Sequence, residues 1–130
     1  MNLALRLSAI TTNYSVRALD HGIDLGEVEV SRCPIADREH RKSPRQFMHV
    51  GHHPQVICYA RAVGSLPEHH VRGLIAHELG HLVAERLGWT QRNEEYAANI
   101  AAERILGVKV VYLPPLMLQS ARDYDVEEEN

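Results

Sequence analysis

The stretch "RGLIAHELGHLVAERLG", from Arg72 to Gly88, restricts the fold of this chain more than any other. Val71, Leu74, Ile75, Leu82 and Val83 recur at the spacing of one helical face, and the pattern runs to Leu87. Gly88 supplies the stop. Upstream, Ser65 and Glu68 form an S-x-x-E capping box with Pro67 in the first turn. A helix built to feed a core therefore also carries His77, Glu78 and His81. Residues four apart stack on one face, so both imidazoles can point at one place. Glu78 is rotated from His77 by about 100°, which sets it beside that place rather than on it.

That arrangement is the mechanical basis of H-E-x-x-H zinc sites, in which two imidazoles hold the ion and the glutamate takes a proton from water. The chain holds nine histidines, so the bare motif needs support from elsewhere. A catalytic zinc needs a third protein ligand. "NEEYAANIAAERILG" offers one. Its helix should begin near Asn93 and run to Leu106, with Gly107 as its stop. Ala97, Ala98, Ala101 and Ala102 are small enough to let it approach a neighbour closely. Glu95 and Asn99 are four apart on it. Glu95 can bind the ion while Asn99 holds the outer nitrogen of a ligating imidazole. Glu94 has only Ala98 at the same offset, and without the upstream motif both Glu94 and Glu95 would read as solvated first-turn acids.

The rest of the chain sets the fold class. Leu3 to Leu19 reads as a helix, with Gly22 beyond its end. Glu27 to Arg32 alternates with period two and reads as a half-buried strand. "CPIADREHRKSP" has loop chemistry, and the basic run Arg38 to Arg45 reads as a solvated part of it. Arg45 to Gly51 and Gln55 to Arg61 read as two more strands, joined by a turn at His52 to Pro54. "VKVVYL" reads as a further extended segment broken by Pro114 and Pro115, before a last short helix and an acidic tail. The expectation is one α+β domain over residues 1–130. In it a small antiparallel sheet packs on the His77 helix and the glutamate helix that follows.

Composition narrows the partners. The chain is 45% hydrophobic and 24% charged, which suits a globular domain with a modest core. Its net charge of -3 gives no reason to expect nucleic acid as the main partner. No run is apolar enough to span a bilayer, and the N-terminus lacks the ordered parts of a signal peptide, so a cytoplasmic protein is expected. Cys33 and Cys58 make no C-x-x-C or zinc-knuckle spacing. A single disulfide is open to them, and two free thiols in a reducing compartment is the preferred reading. His49, His52, His53, His69 and His70 read as solvated or packed imidazoles.

"AHELGHLV" followed by "EEYAANIAAERIL" resembles the gluzincin-type metallopeptidases, which pair H-E-x-x-H with E-x-x-A-N or E-x-x-A-D on a following helix. Among them it is most similar to the small bacterial ImmA/IrrE-like peptidases, and the minigluzincins are close in size and order of parts. The matching motifs span about Ile75 to Leu106. The resemblance implies a Zn2+ held by His77, His81 and Glu95, with Glu78 as general base. It also implies a protein or peptide substrate laid in extended form along an edge strand, which here would be Val56 to Arg61, and a role as a cytoplasmic regulator. Tyr112 and Tyr124 are the candidates for stabilising an oxyanion, set against ordinary packing roles.

Two other classes stay open on sequence grounds. One is a catalytically silent zinc-binding regulatory or protein-interaction module. The other is an antitoxin-like or scaffold protein in which the two helices only pack. Metal content separates the last from the other two.

Overall fold

A computed structural model of the protein describes residues 2–44, 46–89 and 93–110. Among the described residues, helix α1 is Leu3–Asp20, α2 Pro34–Lys42, α3 Glu68–Arg86 and α4 Glu94–Arg104. Strands β1 (Glu29–Arg32), β2 (Met48–His52) and β3 (Gln55–Tyr59) form one sheet in the order β1-β3-β2. The α+β class read from the sequence is the class observed.

The core sits around α3. Leu7, Ile10, Thr11, Tyr14 and Ala18 form the buried stripe of α1, each three or four residues from another member of the stripe. Asn2 caps its start, accepting a hydrogen bond from the Leu5 N–H at 2.9 Å. In α3 nearly every position from Val71 to Ala84 is buried, because α1, α4 and β2 all pack around it. His77 and Glu78 are thus inside the core helix and not on an outer stripe. Gly88 and Gly107, both at φ +69°, end the chain's last two described helical regions.

The sheet is mixed and not purely antiparallel. β2 and β3 form the expected hairpin, with Met48 opposite Tyr59 and His52 opposite Gln55. β1 instead runs parallel to β3, with Glu29 opposite Val56 and Arg32 opposite Tyr59. Parallel neighbours need a connection that returns to the starting end. α2 lies in that connection, where a loop was expected. Only Ala36 of α2 is buried, so no apolar period betrays it. Its ends hold it: Pro34 at the start, Asp37 in the first turn, and His40, Arg41 and Lys42 in the last. Asp37 also accepts from the Arg61 backbone N–H at 2.8 Å and pairs with Arg32 at 3.2 Å.

The capping box does not form. Ser65 closes a short 3-10 turn, Arg61–Ser65, by donating to the Ala62 carbonyl at 2.8 Å. Glu68 pairs with Arg72 and Arg6. α3 starts from Pro67 with no side-chain cap. Val108 to Val110 have no regular structure. The rest of "VKVVYL", the last short helix and the acidic tail, with Tyr112 and Tyr124, lie outside the described residues. No described helix is long and apolar enough to cross a membrane.

Candidate metal centre on two helices

α3 and α4 come together at Gly80. A Cβ built on Gly80 would lie only 2.1 Å from the Ala98 carbonyl oxygen. The missing side chain therefore lets the two backbones touch. Ala97, Ala98, Ala101 and Ala102 are all buried along the same contact. The alanines were legible in the sequence as small residues. Gly80 was not read this way, although a glycine inside an otherwise strong helix is a signal of close approach.

The contact sets the first turn of α4 over the middle of α3. Asn93 caps α4, accepting from the Tyr96 N–H at 3.1 Å, which fixes where Glu94 and Glu95 begin. Glu95 then reaches both imidazoles. Its Oε2 is 2.5 Å from His77 Nε2, and its Oε1 is 3.4 Å from His81 Nε2. The two rings meet edge to face with centroids 4.7 Å apart. Asn99 Oδ1 lies 2.7 Å from His77 Nδ1, on the far side of the ring. Glu78 offers a carboxylate oxygen within 4.8 Å of a ring nitrogen of each histidine. The structure thus brings together His77, Glu78, His81, Glu95 and Asn99. Glu94 is exposed.

The electrostatics follow from burial. His77 is 4% exposed, and burial pulls its imidazole toward the neutral form. The Glu95 hydrogen bond, the Glu78 and Glu95 charges and Asn99 outweigh that pull, so its pKa lies above the usual value. Hydrogen bonds from His77 and His81 hold the Glu95 carboxyl far below its ordinary range. Glu78 is 7% exposed, and burial pushes its carboxyl up to about 7, against the attraction of both histidines and with repulsion from Glu95. The site thus pairs a carboxylate that stays charged with one poised near neutrality.

Two imidazole nitrogens and one carboxylate are a donor set that zinc accepts. Bonds of about 2.0–2.2 Å in a tetrahedron separate ligand atoms by about 3.3 Å. The His81–Glu95 distance of 3.4 Å already suits this. The His77–Glu95 pair, at 2.5 Å, must open by somewhat less than 1 Å. The Glu95 side chain is 60% exposed and at a helix start, so it has room to do so.

The strand expected to receive a substrate is placed differently. β3 is the central strand, so both of its backbone edges are already paired, to β1 and to β2. Arg61 has left the sheet for the 3-10 turn. Among the described strands the edge next to α3 is that of β2.

No protein-family model, curated protein or solved structure matches this chain.

Proposed function

We propose that the chain is a zinc-dependent endopeptidase of the gluzincin type, similar to the ImmA/IrrE-like peptidases. One observation carries the reading: Glu95 on α4 spans the outer nitrogens of His77 and His81 on α3, while Asn99 holds His77 from behind. Packing alone does not require the buried His77 to meet both a carboxylate and an amide from the neighbouring helix, although a buried imidazole does need partners to offset its desolvation.

His77, His81 and Glu95 are the residues that would hold the ion. Bound zinc supplies Lewis acidity toward a peptide carbonyl and makes a nearby water more acidic. The chain's own groups do the rest. Asn99 accepts the His77 Nδ1–H and so aims Nε2 toward Glu95 and His81. Glu78, with a pKa near 7, is suited to take a proton from the attacking water at neutral pH. As the carbonyl carbon–nitrogen bond breaks, Glu78 gives that proton to the departing amine. A peptide in extended form has the edge of β2, Met48–His52, that pairs with no other strand among the described residues, on which to pair its backbone. The substrate class is a protein or peptide bound in that form.

The test is Glu78→Gln in the full chain, assayed with added zinc on a broad peptide library. Zinc content and thermal stability should stay near the parent, and cleavage should fall about 10²- to 10⁴-fold or more. Cleavage that survives the substitution refutes the mechanism. A zinc-loaded parent that cleaves nothing refutes the enzyme and favours a silent zinc-binding module.

A further inference from the structure

Cys33, His49 and Cys58 lie 9 to 25 residues apart in the sequence, yet one ligand atom from each falls within 4.8 Å of the others. Three elements assemble them. In the β2–β3 hairpin, Met48 and Val50 lie opposite Tyr59 and Ile57, and Met48, Ile57 and Tyr59 are buried on the core face. Strand alternation turns His49 and its cross-strand partner Cys58 to the other face together. Cys33 follows β1 directly. Its backbone N–H donates to the Tyr59 carbonyl at 3.2 Å, and its side chain caps α2, with Sγ accepting from the Ala36 N–H at 3.4 Å.

We propose that Cys33, Cys58 and His49 form a second metal site, for a divalent cation of the zinc class, separate from the centre on α3 and α4. The donor set is one that zinc and its cobalt substitute favour, two thiolates and one imidazole. In a tetrahedral site with bonds of about 2.0–2.3 Å the ligand atoms stand about 3.3–3.8 Å apart, so a spread of at most 4.8 Å needs only side-chain adjustment. One further feature points to a cation rather than to a plain thiol pair. Glu39 on α2 holds His49 Nδ1 at 2.9 Å, the carboxylate partner that metal-bound imidazoles ordinarily have, which leaves Nε2 for the ion. The site would tie the start of α2 to β2 and β3, where α2 otherwise buries only Ala36.

The test uses the full-length chain, reduced and metal-free, titrated with Co2+ alone. Thiolate ligation gives a sulfur-to-cobalt charge-transfer band in the near ultraviolet, which the nitrogen and oxygen donors of the helix site cannot give. The band should appear in the parent and saturate by two equivalents, the helix site taking the other ion. It should persist in Glu95→Ala, which damages only the helix site, so the two proposals fail separately. It should vanish in Cys33→Ser/Cys58→Ser, with circular dichroism reporting whether that variant folds. His49→Ala, which keeps both thiols, should weaken cobalt binding at least tenfold. A reduced parent without the band overturns the proposal, and so does a band indifferent to His49. Rapid closure to a disulfide together with no cobalt uptake would instead make Cys33 and Cys58 a redox pair.

Discussion

Replacing Gly80 by alanine tests whether helix contact builds the candidate metal centre. The added Cβ would stand 2.1 Å from the Ala98 carbonyl oxygen, 2.9 Å from the carbonyl carbon and 3.2 Å from Cα. Close carbon–oxygen contacts stop at about 3.3 Å. The obstacle is backbone and cannot swing aside, so α4 must retreat by about 1 Å. Overpacking of this kind costs about 1–3 kcal/mol, and a backbone clash belongs at the upper end. Alanine in place of glycine inside a helix returns about 1 kcal/mol. The net loss is about 2 kcal/mol, or roughly 30-fold in the folding equilibrium.

The same retreat reaches the site. Carried away by about 1 Å, Asn99 would leave His77 Nδ1, now at 2.7 Å, beyond useful hydrogen-bonding distance. Glu95 would separate from His81, now at 3.4 Å. Gly80→Ala should therefore lower both the urea midpoint and the zinc content measured by elemental analysis. Gly64→Ala is the control, since its Cβ would meet only the Leu3 side chain at an ordinary 3.4 Å. A Gly80→Ala protein as stable as the parent and equally loaded with zinc would refute the reasoning.

Glu95→Ala should deplete zinc sharply while Glu94→Ala leaves it near the parent level; equal zinc in the two variants by elemental analysis would remove Glu95 from the site. Asn99→Ala should weaken zinc binding about 10- to 100-fold in a competition titration, because His77 loses the partner that aims it, and an unchanged affinity would deny Asn99 that role. Asp37, held below its ordinary 3.8 first by the Arg61 N–H and then by Arg32, stabilises the fold above that pH and loses this contribution as pH falls through its folded pKa. Asp37→Asn should therefore be less stable than the parent at neutral pH, with the gap closing below about pH 4 in urea titrations, and a gap that widens in acid would contradict the assignment.

The helix site was legible because its parts are local. His77 and His81 need only the helical repeat to share a face, and Glu95 and Asn99 need only the same rule on the next helix. What the repeat cannot give is the distance between the two helices. That rests on Gly80 meeting the Ala98 carbonyl, a contact between residues 18 apart. Nor could it show that α3 is enclosed on nearly every side, which is what raises the Glu78 pKa toward neutrality. The apolar spacing of α3 predicts a helix with one buried face, and packing by α1, α4 and β2 overrides it.

The cysteine–histidine cluster was hidden by the two misread features of the first half. With "CPIADREHRKSP" taken as a loop, Cys33 has no fixed place, and only the cap of α2 gives it one. With the sheet taken as a plain antiparallel one, nothing brings the end of β1 beside Tyr59, where the parallel register carries Cys33 to the neighbour of Cys58. Spacing rules for zinc sites work when ligands come in pairs on one turn, as in C-x-x-C. Here each candidate ligand comes from a different element, so sheet register takes the place of sequence spacing. His49 read as one imidazole alternating with apolar residues in a strand, and the same alternation that keeps Met48 in the core turns His49 toward Cys58. A local motif and a register-built cluster thus make opposite demands on sequence reading: the first is visible without the fold, and the second exists only once strand order is known.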